Sequence, residues 1–286
     1  MLGVIGGTGL YELEGLRIKD ELLFETPFGI PSASIIVGLM GDCEVAFLPR
    51  HGRGHSLLPS EINYRANVFA LKSLGVTQVF SISAVGSLTR GLSPGALVLP
   101  TQYLDFTRGK REGTFFGDGV VAHVSTAHPV CNLLVDQLVT LDSEVAKRLH
   151  TGAIYACVEG PRLGTKAESV LFQSFGAEVV GMTNVPEAFL AREAQICYAS
   201  LCIVTDFDAW HDDVANESSV PEILSRYKQS LAGVKELLVH FIKEYGAGET
   251  NEIPCLKCRK ALLGAILTDS STILPHQQGF LDTLKR

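Results

Sequence analysis

No run of lysines and arginines occurs in this 286-residue chain, and its formal net charge is −7. Nucleic acid is therefore not an expected partner, because phosphate-tracking surfaces are built from clustered cationic side chains. A compact anionic ligand would need a local pocket instead. No apolar stretch is long enough to cross a bilayer. The N-terminal Met-Leu-Gly-Val-Ile-Gly-Gly lacks the basic and extended apolar regions of a signal peptide. No membrane partner is expected, and a cytoplasmic location is.

The seven cysteines (43, 131, 157, 197, 202, 255 and 258) are odd in number and lie mostly in apolar segments. That argues against a secreted disulfide framework. Cys255 and Cys258 form one Cys-x-x-Cys, but a zinc site needs a second pair or nearby histidines, and none adjoins it in the sequence. The pair reads as two free thiols near a tail, with a redox-labile disulfide as the alternative, and no metal is expected. Internal repeats and low-complexity segments are missing too.

What is present is 46% hydrophobic residues, enough for one large core. Short apolar runs predict strands at Leu2–Ile5, Ala33–Gly38, Cys43–Leu48, Gln78–Ser83, Ala153–Val158, Val179–Met182 and Ala199–Val204, with a further strand beginning at Leu97–Pro100. Helical patterns lie between them at Ser60–Gly75 (Ser60 as cap), Pro129–Arg148, Lys166–Phe175 and Glu187–Gln195, and beyond them at Ser219–Tyr245 and Ala261–Leu267. Residues 102–127, rich in glycine, aromatics, charge and histidine, read as an exposed excursion, either lid or interface. The alternation predicts a single α/β domain over 1–286, a mixed, mostly parallel central sheet flanked by helices. Residues 246–286 read as a linker plus a C-terminal helical tail.

Chemistry gathers at strand ends. Gly6-Gly7-Thr8-Gly9 follows the first strand, where backbone N–H groups and a hydroxyl can turn onto an anion. Pro49-Arg50-His51-Gly52-Arg53-Gly54-His55 follows another, bringing guanidinium forks and histidine donors suited to phosphate. Ser83-Ala84-Val85-Gly86-Ser87 is a third small-residue loop, and Met182-Thr183 adds a hydroxyl. Asp206 and Asp208 stand at the mouth of a buried strand, where open α/β sheets bind ligands. Burial there raises a carboxyl pKa. The plainer reading makes Asp206 a turn or helix cap and Asp208 a solvated loop residue, and both readings stay open on these residues alone. An anion beside carboxylates suits cleavage of a glycosidic bond by phosphate through an oxocarbenium-like state.

Six motifs together carry a resemblance. They are Ile5-Gly6-Gly7-Thr8-Gly9-Leu10, Thr26-Pro27-Phe28-Gly29, Pro49-Arg50-His51-Gly52-Arg53-Gly54-His55, Glu159-Gly160-Pro161-Arg162, Met182-Thr183-Asn184-Val185-Pro186-Glu187 and Thr205-Asp206-Phe207-Asp208-Ala209-Trp210. With these the chain resembles the purine nucleoside phosphorylase superfamily. The resemblance implies phosphate held by Thr8, Arg50, His51, Ser83, Ala84 and Thr183, with Met182 under the ribose. It implies Asp206 at N7 of the purine as general acid and Asp208 at the exocyclic amine, with Leu163 on the base. Val220, Ile223 and Leu224, spaced i, i+3, i+4, would line an apolar slot for a 5′-methylthio group, although the same spacing suits the core face of a helix. His55 and His123 would lie near the 5′ end, His123 from a neighbouring subunit of a homotrimer.

The implied reaction is cleavage of 5′-methylthioadenosine by phosphate, giving adenine and 5-methylthioribose 1-phosphate in purine and methionine salvage. No cofactor is implied, and phosphate is a co-substrate. Ser83 stands where threonine is familiar in the family, and Leu163 where phenylalanine stacks on the purine. The alternatives are a phosphorylase for 6-oxopurines (methylthioinosine, inosine or guanosine), a hydrolytic nucleosidase of the same superfamily, and a purine-binding sensor without turnover. Two carboxylates favour a 6-amino base, because a carboxylate accepts from an amine and repels a 6-oxo acceptor.

Overall fold

The structure is a computed structural model and describes residues 1–7, 10, 13–211, 219–246 and 255–286. In chain order the elements are β1 (Leu2–Gly6), β2 (Arg17–Leu22), β3 (Ile35–Met40), β4 (Cys43–Pro49), α1 (Tyr64–Ser73), β5 (Gln78–Ser87), β6 (Leu97–Phe106) and α2 (Asn132–Val139). They continue as β7 (His150–Val158), α3 (Lys166–Ser174), β8 (Val179–Gly181), α4 (Asn184–Glu193), β9 (Cys197–Phe207), α5 (Val220–Tyr245), α6 (Leu256–Arg259) and α7 (Pro275–Lys285).

The strands form one sheet in the order β2-β3-β4-β1-β5-β8-β7-β6-β9, and β5 also pairs with β9. Strands β5, β8, β7, β6 and β9 therefore close into a ring. Five pairings are parallel and four antiparallel, so the mixed, mostly parallel sheet holds. The closure is new, because hydrophobic periodicity carries no information about which strands pair. Its consequence is positional. Strands β4, β1, β5 and β9 lie side by side and parallel, so their carboxyl ends share one edge. Gly6 pairs with Pro49, Ile5 with Ser81, and Gly86 with Asp206.

β9 anchors this edge. From Cys197 to Thr205 every residue is buried, because the strand is covered on both faces. Ala199, Leu201 and Ile203 face one core, while Cys202 and Val204 face another, as the two-residue period of a strand requires. Helix α5 seals the first face with Leu231, Val234, Leu237, Leu238, Phe241 and Ile242. Each such side chain contributes about 1.5–3 kcal/mol by leaving water. Ser219 caps α5 and forms a capping box with Glu222.

Several expectations are corrected. Helix α1 begins at Tyr64 with Asn63 as its cap, accepting from the Ala66 N–H. Ser60 instead lies in a turn in which Glu61 N–H bonds the Leu58 carbonyl. Ser83 to Ser87 is no loop; it continues β5 beside β9. The 129–148 helix breaks after Val139, where the chain turns and Ser143 donates to Glu236. Residues 261–267 are not a helix, because the backbone there pairs with the excursion, Leu267 N–H to Val121 O and Ala122 bridging Ile266. The last helix is α7, which buries Leu281 and Leu284 against the core containing α1.

Nor is the excursion wholly exposed. Its first residues, to Phe106, belong to β6, and Phe115, Phe116 and Val120 are buried. Phe115 joins Phe28, Phe69 and Phe280 in an aromatic cluster tying turn 26–29, α1, the excursion and α7 together. Of the expected linker and tail at 246–286, residues 247–254 lie outside the described residues. Among the described residues no helix is long and apolar enough to cross a membrane.

Candidate active site

Arg50 leaves the end of β4 and turns inward, with 2% of its surface exposed. Its Nε and Nη2 meet the two carboxylate oxygens of Glu187 at 2.7 and 2.9 Å. Nη2 also donates to Ser81 Oγ at 2.6 Å, and Nη1 donates to the Ile82 carbonyl at 2.9 Å. Ser81 and Tyr198 add hydroxyl donors to Glu187 Oε1. Taking both ions out of water costs several kcal/mol each, which such a saturated network can offset. Burial works against the guanidinium's charge, but the Glu187 carboxylate outweighs it and keeps Arg50 protonated.

The expected role of Arg50 is thereby narrowed. Its fork faces Glu187 rather than an anion, and one hydrogen on Nη1 is left for a phosphate among the described contacts. His51 is corrected as well. Burial first, then the charge of Arg50, pushes it down to about 4, so the ring is neutral near pH 7. Its Nδ1 lies 2.9 Å from the Leu57 carbonyl. A carbonyl only accepts, so the proton sits on Nδ1 and Nε2 is an acceptor. A neutral His51 thus presents Nε2 as a hydrogen-bond acceptor rather than the donor that was expected. His55 stacks on His51 with ring centroids 4.3 Å apart, and is itself exposed. It has a positive φ of 58°.

β5 carries the next pair. Ser83 is buried, and its hydroxyl donates to Asn184 Oδ1 at 3.3 Å. Ala84 is the one exposed residue in its stretch of strand. The Ser83–Asn184 bond brings β5 against the segment after β8, where Thr183 is buried and Met182 half-buried. Close packing sets that segment. A Cβ at Gly181 would lie 2.1 Å from the Tyr155 hydroxyl, so only glycine lets β8 pass over that ring. Gly160 has φ +70°, strained for other residues, and lies against the Met182 sulfur.

The two acids close the site. Asp206 is pushed up to about 6, by burial first; Thr205 Oγ1 donates to its Oδ1 at 2.7 Å and opposes the rise. Asp208 is also raised, by burial, while the Ser169 hydroxyl bonds its Oδ2. Asp208 N–H holds the Ser87 carbonyl, and Gly164 lies against its carboxylate. Leu163, the neighbour of Gly164, is 55% exposed. Neither acid is a helix cap or a freely solvated loop residue.

Helix α5 adds the remaining wall. Arg226 donates to the Thr205 carbonyl at 3.0 Å, and the Tyr227 hydroxyl lies against Gly7. Val220 is 60% exposed, Leu224 52%, and Ile223 is half-buried. They are not the core face of α5, which begins at Leu231. His123 is exposed on the excursion and bonds Ala265 through its backbone. Thr8 lies outside the described residues.

Two positioning residues were not singled out from the sequence. Glu187 ends a recognised motif, but nothing local announces that its partner stands 137 residues earlier. Arg111 lies in the excursion with 2% of its side chain exposed. It bonds Glu159 and the carbonyls of Met182 and Val185, fixing the loops after β7 and β8. A lone arginine in a glycine-rich, charged segment gives no signal of such burial.

Residues 1–243 match the model of the phosphorylase superfamily. The chain is 45% identical over 284 residues to the S-methyl-5′-thioadenosine phosphorylase of Geobacter sulfurreducens, covering 99% of this chain and 97% of that protein. It is 43% identical over 270 residues to the enzyme of the same name from Synechocystis, covering 93% and 81%. Among solved structures it resembles a methylthioadenosine phosphorylase from an antarctic soil metagenomic library, with TM-score 0.89, 39% identity and coverage of 99% and 98%. It also resembles the methylthioadenosine phosphorylase of Schistosoma mansoni in complex with adenine, with TM-score 0.84, 34% identity and coverage of 93% and 98%.

Proposed function

The chain belongs to the phosphorylase superfamily, and from that premise we propose that it cleaves 5′-methylthioadenosine with phosphate, giving adenine and 5-methylthioribose 1-phosphate. It is a pentosyltransferase. The observation that carries the mechanism is Asp206, a half-buried carboxyl held near 6 with one oxygen satisfied by Thr205. It stands on the sheet edge that also carries Arg50 and Ser83.

In this reading phosphate lies across the carboxyl ends of β1, β4 and β5. It is met by Thr8, the remaining Arg50 N–H, Ser83, the Ala84 backbone and Thr183, with His51 Nε2 accepting a hydrogen bond from its P–O–H group. The ribose lies over Met182, and the purine lies between Leu163 and the two acids. As the glycosidic bond lengthens, its electron pair moves onto the purine and the sugar carbon becomes cationic. Asp206, protonated, gives its proton to N7, so the base leaves neutral. A phosphate oxygen then bonds to the sugar carbon. Asp208, steadied by Ser169, accepts from the exocyclic amine and so favours adenine over a 6-oxopurine.

The exposed Val220 and Leu224 with half-buried Ile223 suit a methylthio group, which needs apolar contact and no donor. His55 would stand near the same end. His123, exposed on the excursion, would contribute to a neighbouring subunit's 5′ end in a homotrimer. Exposed Leu163, Val170, Leu171 and Phe175 support an interface around α3. We further propose a single domain over 1–286, a cytoplasmic location and a reaction that uses no cofactor, phosphate being a co-substrate.

Incubation with methylthioadenosine, methylthioinosine and inosine tests the base and the 5′ group together. Fastest release is expected from methylthioadenosine; preference for methylthioinosine would overturn the assignment of Asp206 and Asp208 to an amino group.

A further inference from the structure

The missing partners of the Cys-x-x-Cys are supplied by the fold. Cys131 precedes α2, Cys197 opens β9, and Cys258 lies in α6. All three are buried, and their sulfurs lie within 4.8 Å of one another. Cys255, half-exposed at the start of α6, stands outside this triangle, but its thiol faces Cys131. A tetrahedral zinc site with Zn–S bonds of about 2.3 Å has sulfurs roughly 3.8 Å apart, a spacing this cluster accommodates. A disulfide joins only two sulfurs, at about 2 Å, and would leave a third thiol facing the bridge.

The surrounding charge points the same way. Arg192 Nη1 donates to Cys258 Sγ at 3.4 Å, while its Nε is buried without a hydrogen-bond partner. Lys72, 5% exposed, lies within the electrostatic reach of Cys197. Neither cation has a carboxylate partner among the described residues. Burying the Lys72 ammonium and the Arg192 Nε without counter-charge is costly, although the rest of Arg192 is only half-buried. Four thiolates around one divalent ion carry a net charge of −2, which these two cations would balance.

We propose that Cys131, Cys197, Cys258 and Cys255 bind a structural zinc ion. Binding displaces the thiol protons and draws Cys255 in as the fourth ligand, leaving no open position for catalysis. The ion joins α2, β9 and α6, so it fastens the segment after residue 255 to the sheet. Cys197 is at the amino end of β9, and Asp206 is nine residues on, roughly 30 Å along an extended strand. The site is thus separate from the reaction and stands whether or not the proposed substrate is right.

Elemental analysis of protein purified under reducing conditions should find about one zinc per chain, released when an organomercurial titrates the thiols. Cobalt(II) added to the metal-free protein should give the sulfur-to-cobalt charge-transfer absorption and intense visible bands of a tetrahedral thiolate site. Cys255→Ser and Cys258→Ser should each weaken zinc binding by more than ~100-fold, and Arg192→Met by roughly 10–100-fold, the usual range for an outer partner. Turnover of the nucleoside should not change. No bound zinc together with no such cobalt spectrum would overturn the proposal, and so would a non-reduced mass lowered by disulfide formation among these cysteines. If the serine variants do not fold, the cobalt spectrum of the unaltered protein decides.

Discussion

Arg50 and Glu187 are joined by two hydrogen bonds at 2.7 and 2.9 Å, both side chains almost fully withdrawn from solvent. The pair fixes the end of β4 to α4 beneath the proposed phosphate site. Glu187→Gln keeps the shape but leaves the guanidinium without its counter-ion. Removing one member of a buried pair costs about 3–5 kcal/mol. Urea unfolding should show a loss of that size, and the KM for phosphate should rise as Arg50 is released. A loss under about 1 kcal/mol would mean that the pair does not hold the site.

Asp206 links burial to pH. Its carboxyl lies near 6, above the usual 3.8, because ionising it in the site is unfavourable. If the protonated form delivers the proton to N7, kcat/KM should fall tenfold per pH unit above about 6. Phosphate titrates in the same range, so the ratio of wild type to Asp206→Asn isolates the acid. The variant should be far slower at pH 6 and should lack this limb. Identical profiles would remove Asp206 from the proton step.

Val220 tests the 5′ end. Val220→Asp places a charge where a methylthio group would lie. The kcat/KM ratio of methylthioadenosine to adenosine should fall by about tenfold or more, as for the loss of an apolar contact in a specificity pocket. Since Val220 is 60% exposed and packs into no core, the melting temperature should hardly move. An unchanged ratio would mean that the slot lies elsewhere.

Glu193 gives a prediction independent of substrate. It accepts from Thr114 Oγ1 and Phe115 N–H, yet burial pushes it up to about 7 from 4.5. A carboxyl raised in the folded state contributes stability that is fully present below pH 4.5 and is lost as pH rises through 7. Glu193→Gln should remove this slope and be more stable than wild type at pH 8, by up to about 3 kcal/mol. Thermal unfolding at pH 5 and pH 8 measures it. Parallel curves for the two proteins would contradict the assignment.

Every strand but β2 was legible because it contains a short apolar run, and β9 most of all, being buried on both faces; β2, Arg-Ile-Lys-Asp-Glu-Leu and almost wholly exposed, carries no such run. The strand-end groups were legible because glycine, charge and acid follow such runs directly. What lay hidden was long-range. Glu187 as the partner of Arg50, the burial of Arg111, and the meeting of Cys131 and Cys197 with Cys258 all depend on pairings that periodicity does not contain. Ser83–Ser87 read as a loop because small residues punctuate turns, whereas here they let β5 lie close to β9 and β8. Residues 261–267 show helical composition but find backbone partners in the excursion, and tertiary pairing prevails over propensity.

The central claim is that strand-end groups hold one phosphate opposite a proton-donating acid. It is tested most directly by supplying methylthioadenosine with and without inorganic phosphate and following the products by phosphorus NMR and chromatography. Adenine should appear only with phosphate, matched mole for mole by a sugar 1-phosphate. Adenine released equally without phosphate, with free methylthioribose as the other product, would contradict it.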